Sequence, residues 1–335
     1  TALRTQHRPA NVEGVTLRLG YRPPYRWEEI LTFLGARAIP GVEQVSCADD
    51  DGAGQYTRTV RLSDGAGSFH TGWVTVRHDE GAQSLAVMVS PSLLPVLSQV
   101  LSRVSRLFDL TRDPHAVFEA LNPTLNQLLP GTHLLGTRVP GCFNAFEMAA
   151  RAVLGQQVTV RAASMLAGRV AADDSLGQSI ETGMPGLERL FPTAETIAQF
   201  SEPGEVEDRL GPLGVTRIRA HSLLAIARAM TDGSLRLGPS ADPEATIAAL
   251  QEIPGIGPWT ANYLGMRALG WPDIMLDSDV GVQKALAALR TGPGAEGAPS
   301  SSEKKNRPSP ALVRELAEAW RPWRSYATVS LWNTL

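Results

Sequence analysis

The sequence predicts a mainly α-helical protein with a small α+β domain towards its N-terminal end. The helical part reads as a two-lobed bundle containing a helix-hairpin-helix motif. Three observations predict this. Alternation of apolar and polar residues is confined to segments before residue 91. Beyond that point helical periodicity recurs in one segment after another, joined by short loops. Finally, Pro254-Gly255-Ile256-Gly257-Pro258 separates two helical patterns by only a few residues. At 335 residues the chain is long enough for two or three domains with cores of their own.

Taken in order, residues 1–14 are polar and aperiodic and are expected to be a tail. Residues 15–21 alternate as a strand, and residues 27–37 read as a short helix with Ile30, Phe33 and Leu34 inward. Residues 56–62, 72–78 and 83–90 alternate again between Asp-Gly and Gly-Ala turns, giving an antiparallel sheet within an α+β domain at 15–102. Helices follow at 93–110, 113–121, 144–154 and 158–174, with short helical candidates at 186–191, 193–200 and 205–210. Thr216 is a candidate N-cap for a helix that stops at Asp232-Gly233. A first helical lobe is therefore expected at 103–269, ending in the hairpin, and a second at 270–335. Within the second, residues 291–310 are Gly, Pro, Ser and charge and read as an exposed loop.

The hairpin carries the functional reading. Asp242 and Pro243 start its first helix as N-cap and N1. The two glycines let the backbone approach a bulky anion, and the second helix aims its unpaired N–H groups at the same place. A nucleic-acid phosphate is one such anion, held without reference to base sequence; an ordinary corner between two core helices is the other reading. Twenty residues beyond Trp259, Asp277-Ser278-Asp279 opens a further helix. Asp279 reads as an N-cap, a role compatible with catalysis because a helix N-terminus keeps a carboxylate ionised. Asp277 is its competitor.

Residues 253–270, 276–286 and 321–332, together with 140–158, 105–110 and 21–38, resemble the helix-hairpin-helix DNA glycosylase superfamily, and within it the 3-methyladenine DNA glycosylase II (AlkA-type) branch. The resemblance spans roughly residues 15–335. It implies a base-excision enzyme that flips alkylated purines of the 3-methyladenine and 7-methylguanine type out of duplex DNA and hydrolyses their glycosidic bonds. Asp279 takes the place of the catalytic aspartate, and Trp259, Tyr263, Trp332 and Phe33 that of the aromatic cleft stacking a cationic base. Gly255, Gly257 and Thr260 are the expected phosphate contacts through backbone N–H groups, and Gln156 and Gln157 lie in the loop that faces the gap left by the flipped base. Gln157 stands where the AlkA-type pattern has leucine. The carbonyls of Gln251, Ile253 and Ile256 occupy the places that hold a monovalent cation, Na+ or K+.

Tryptophan at 259, where lyase relatives have a lysine, implies a monofunctional hydrolase; the nearest lysine, Lys284, lies in the next helix. Some relatives also carry an adaptive-response regulator upstream, so residues 1–14 are expected to be a tail or the remnant of such a domain. The alternative reading is a non-catalytic protein that binds damaged DNA through the same motif.

Composition limits the options further. Two cysteines, Cys47 and Cys142, cannot ligate an iron–sulfur cluster through four thiolates. A net charge of −3 is unusual for a nucleic-acid binder and implies that any basic surface is local. No apolar run reaches the roughly 20 residues of a membrane helix. The expectation is a monomer, bacterial and cytoplasmic, acting at the nucleoid with no cofactor required for the chemistry.

Overall fold

The computed structural model describes residues 13–46, 54–288 and 307–335. Most of the 1–14 tail, Cys47 and most of the 291–310 loop lie outside the described residues.

Five strands form one antiparallel sheet: β1 (Val15–Gly20), β2 (Glu43–Ser46), β3 (Gln55–Ser63), β4 (Phe69–Asp79) and β5 (Ser84–Val89), in the order β1-β5-β4-β3-β2. The register pairs Val74 with Val89 and Val76 with Val87, so their side chains share the face that packs on α1 (Trp27–Gly35). Trp27, Ile30, Leu31 and Leu34 of α1 are buried there with Val100, Val104 and Phe108. The boundary expected at 102 therefore falls inside a helix, α2 (Leu97–Leu107), whose apolar stripe belongs to the sheet's core. Alternation ends at residue 90, but burial continues to follow the sheet.

The helical body comprises α3 (Pro114–Leu121), α4 (Leu125–Leu128), α5 (Ala145–Leu154), α6 (Val160–Ala172), α7 (Ala194–Ala198), α8 (Pro203–Leu210), α9 (Arg217–Thr231), α10 (Pro243–Gln251), α11 (Pro258–Arg267) and α12 (Val280–Ala288). Helices at Pro310–Ala317 and Arg324–Trp332 close it. One contiguous apolar cluster runs through both expected lobes, from Val153 and Leu224 through Leu250 and Leu264 to Leu276, Val282, Trp320 and Tyr326. Side-chain caps start many of these helices: Asn144 accepts from the Glu147 amide, Thr159 from Ala162 and Asp242 from Ala245. Thr216 occupies the N-cap of α9 without a side-chain bond, so it marks the boundary by backbone geometry alone.

The helix expected at 186–191 does not form. Gly183 and Gly186 adopt φ +71° and +79°, turning the chain, and Arg189–Leu190 pairs instead with Gln178–Ser179 as a two-residue ladder. The spacing of Leu187 and Leu190 satisfied a helical pattern, yet Leu187 is buried from the connecting segment and Leu190 from the ladder.

Candidate active site

The hairpin positions everything else. Gly255 sits at φ +87°, and a Cβ there would meet the Ser222 hydroxyl at 2.3 Å, so the turn between α10 and α11 requires glycine twice over. Gly257 is different. Its φ is −85°, and a Cβ there would meet nothing within 4 Å. It is the N-cap of α11 and supplies no side-chain cap, so the first-turn amides of that helix open onto space. Ser222 accommodates the turn by donating to the Pro254 carbonyl at 2.8 Å.

Beside the hairpin lies the loop between α5 and α6. Gln156, expected as a DNA contact, lines the cleft and turns its side-chain amide onto the hairpin. Its amide donates to the Gly255 carbonyl at 2.9 Å and to the Thr260 hydroxyl at 3.2 Å, and its own carbonyl accepts from Arg219. It braces the loop against the hairpin. Gln157 is the exposed tip, held at φ +56°, a left-handed conformation that costs a non-glycine residue about 1 kcal/mol or more. The surrounding structure imposes that strain at the start of an exposed run, Gln157-Val158-Thr159.

Asp279 opens α12. Its Oδ1 accepts the Val282 N–H at 2.9 Å, the N-cap bond. The same carboxylate takes two indole N–H groups: Trp332 donates to Oδ1 at 2.9 Å and Trp259 to Oδ2 at 3.0 Å. The indole of Trp332 reaches this position because residue 281 is glycine; a Cβ there would meet Trp332 Cδ1 and Asp279 Oδ1, each at 3.0 Å. Asp277 is placed otherwise. Its carboxylate pairs with Arg314, away from the tryptophans.

Trp259, Tyr263, Trp332 and Asp279 line one cleft of about 1050 Å³, with Gly255, Gly257, Gln157, Arg37, Arg151, Arg267 and Lys284 also on its walls. Trp259 and Tyr263, one turn apart on α11, stack with ring centres 5.1 Å apart and planes 9° apart. Phe33 does not line the cleft. It is buried behind Trp332, stacked at 6.1 Å and 20°, and so supports the wall instead of forming it.

The arginines are what sequence reasoning missed. Arg267 donates to the Tyr263 hydroxyl at 2.6 Å and to the Pro140 and Gly141 carbonyls. Arg37 lies 3.7 Å over the Phe33 ring. Burial would raise the Tyr263 phenol, but the charges of Arg267, Arg37 and Arg151 prevail and hold it below its ordinary value. Arg37 comes from the N-terminal domain, more than 200 residues before the hairpin, and no spacing rule joins the two. Lys284, expected in the next helix, does reach the cleft wall.

Among the described residues no cluster of histidine, cysteine or acidic side chains could hold a metal ion. At the hairpin, the Ile253 carbonyl accepts the Ile256 N–H at 3.0 Å and keeps its second lone pair. Uncharged carbonyls of this kind suit a weakly bound monovalent cation.

The AlkA N-terminal domain profile matches residues 16–144, and that of the HhH-GPD superfamily base excision DNA repair protein matches residues 150–310. DNA-3-methyladenine glycosylase 2 of Escherichia coli is 34% identical, over 94% of this chain and 96% of its own length. A probable bifunctional transcriptional activator/DNA repair enzyme AlkA of Mycobacterium tuberculosis is 35% identical over all of this chain, which spans 60% of that relative's length. The solved 3-methyladenine DNA-glycosylase from Archaeoglobus fulgidus superposes with a TM-score of 0.73 at 20% identity, covering 95% of this chain and 97% of that one, a likeness of fold. The chain belongs to the HhH-GPD superfamily of base excision repair DNA glycosylases, with an AlkA-type N-terminal domain.

Proposed function

We propose that the protein is a monofunctional glycosylase that releases alkylated purines from duplex DNA by hydrolysis. The observation that carries this reading is Asp279. A carboxylate fixed by two indoles and a helix amide, at the wall of an aromatic cleft beside an uncapped hairpin helix, is placed for a cation that forms there.

A base in the stack must first be swung out to be reached. Amides of Gly255, Gly257 and Thr260 then grip a phosphate, and Gln157 fills the vacated space, its amide able to pair with the orphaned partner base. A Na+ or K+ ion on the carbonyls of Gln251, Ile253 and Ile256 would add positive charge behind that phosphate. Trp259, Tyr263 and Trp332 stack the flipped base, whose positive charge, where alkylation has conferred one, is attracted to their faces. The C1′–N bond breaks with its electron pair leaving on the base. Asp279 stabilises the resulting charge on the sugar, and water adds at C1′, its proton passing finally to the base or solvent. The protein acts as a monomer, and no cofactor takes part in these steps.

Asp279→Asn tests the reading. The amide keeps the size and the capping oxygen, so the fold and DNA affinity should survive, while single-turnover release of 7-methylguanine falls by roughly 10²–10³-fold or more. A rate within threefold of wild type would assign the chemistry elsewhere; wild-type protein that binds methylated DNA and releases no base would be a binder. Lys284 on the cleft wall makes one further control worthwhile: borohydride should trap no covalent protein–DNA adduct.

A further inference from the structure

A second cavity, of about 660 Å³, lies where the sheet domain meets the helical body. It takes the far ends of two helices that also serve the aromatic cleft. Ala145 and Phe146 at the start of α5 and Met266 at the end of α11 line it, whereas the cleft takes Arg151 and Trp259. Helix α11 has ten residues and is about 15 Å long, so the hairpin at its start stands well away from this cavity. Among the described residues, Arg267 alone lines both. Four further arginines line the cavity: Arg61 of β3, Arg103 and Arg106 of α2, and Arg112. None makes an ion pair among the described residues, and none donates more than one of its five N–H groups to another residue. Arg103 donates to the Phe143 carbonyl at 2.8 Å, Arg106 to the Ser102 hydroxyl at 2.9 Å and Arg61 to Gln178 at 3.4 Å. The Arg61 Nε is shielded from water and has no partner among the described residues. The carboxylates on the wall do not offset this charge. Asp109 is taken by the Tyr326 hydroxyl at 2.6 Å and the Val139 amide at 3.2 Å, and the exposed Glu195 pairs with no cation among the described residues. Burial and the neighbouring charge of Arg106 hold the Arg103 guanidinium below its ordinary value, as expected of cations crowded together. Arginines on an open surface are ordinarily solvated and need no partner. Here they surround a concavity of ligand size, and Arg61 and Arg103 are half-buried in its wall.

We propose that this cavity binds a small ligand bearing a polyphosphate group, held by Arg61, Arg103, Arg106 and Arg112 and separate from the surface that meets DNA. Planar guanidiniums meet phosphate oxygens two at a time, and several forks around one cavity suit a group that carries several negative charges. Aromatic surface lies on the same wall. Phe69 is more than half exposed with Arg61 4.5 Å over its ring, and Trp271 is half-buried. Such surface suits the base of a nucleoside triphosphate, and an inorganic polyphosphate shares the chemistry that the arginines recognise. The inference does not rest on the glycosylase reading, because no step of base release uses this cavity.

Isothermal titration of the full chain at low ionic strength with ATP, inorganic tripolyphosphate and adenosine tests it. ATP should bind at a ratio of one per chain, and adenosine should not bind. ATP binding more tightly than tripolyphosphate makes the ligand a nucleotide; equal affinities make it an inorganic polyphosphate, and either result supports the site. Arg103→Gln should weaken ATP binding by about 10-fold or more, the loss of one charge-assisted contact. Arg106→Gln removes an exposed side chain whose one partner is Ser102 and should weaken binding as much, so it decides the matter if Arg103→Gln does not fold. Gly257→Asp, at the hairpin, should leave ATP affinity unchanged. Absence of ATP binding, adenosine binding as tight as ATP, or a loss confined to Gly257→Asp overturns the proposal. So does displacement of ATP by an equimolar undamaged duplex, which would make these arginines DNA contacts.

Discussion

At the scale of single residues, Asp279 shows how one carboxylate serves the fold and the chemistry together. Three donors converge on it, and each fixes a different thing: the Val282 amide sets the start of α12, Trp259 ties the carboxylate to the hairpin helix, and Trp332 ties it to the closing helix. The two indoles were expected as stacking faces, and their N–H groups prove as important as their faces. The arrangement depends on a residue with no side chain at all. Gly281→Ala would place a methyl 3.0 Å from both Trp332 and Asp279, and the neighbours must yield by a few tenths of an ångström. Helix propensity alone favours alanine by about 1 kcal/mol, so the variant should fold as well as wild type or better. Base release should nevertheless fall by roughly 10-fold or more, because small misplacements of a positioned group are costly in the transition state. Thermal melts and single-turnover kinetics on the same sample check both halves. A faster or unchanged rate would mean the carboxylate tolerates displacement.

Elements bring these residues to one place, and the hairpin is the clearest case. Its two glycines do different work: Gly255 serves the turn and Gly257 serves whatever docks outside. Gly257→Asp should therefore leave the fold intact while adding a negative charge in front of the α11 amides. Affinity for duplex DNA is expected to weaken by about 1–3 kcal/mol, which a fluorescence titration at fixed salt would read. Unchanged affinity would place the DNA elsewhere. This element was legible in the sequence because Pro-Gly-x-Gly-Pro between periodic runs admits few geometries, and Asp242 and Asp279 are cap residues with recognisable spacing. Arg37 and Phe33 were harder for a physical reason. Periodicity says which face of α1 is buried but not what lies across from it; the resemblance placed Phe33 in the cleft, and Arg37, just past the helix, was passed over. The bracing contact of Gln156 was hidden on similar grounds: its partner is a hairpin carbonyl 99 residues away.

For the whole molecule, the question is what holds the sheet domain to the helical body, since Arg37 and Asp279 come from opposite sides of that junction. A buried ionic network spans it. Arg58 of β3 pairs with Glu147 of α5 at 2.6 Å, and Arg151 of α5 returns to Glu43 of β2 at 2.7 Å. Tyr56 donates to Glu43 at 2.6 Å, and the Ile39 amide donates to it at 3.1 Å. Burial alone would raise the Glu43 carboxyl, but Arg151, Arg58 and the Tyr56 hydroxyl overcome it and hold it down to about 2. A carboxyl depressed in the folded state stabilises at pH above its ordinary value of 4.5, and that contribution is lost as pH falls from there through about 2. Acid should thus loosen the junction within that window. Glu147→Ala attacks the same network at neutral pH. It leaves Arg58, almost wholly buried, with Glu43 at 3.5 Å as its remaining carboxylate, so the loss should approach the roughly 3–5 kcal/mol typical of breaking a buried ion pair. Urea unfolding should show that loss, whereas Glu318→Ala, which breaks an exposed pair with Arg321, should leave the unfolding midpoint nearly unchanged. If the two variants unfold alike, packing between the domains, and not this network, sets the geometry of the cleft.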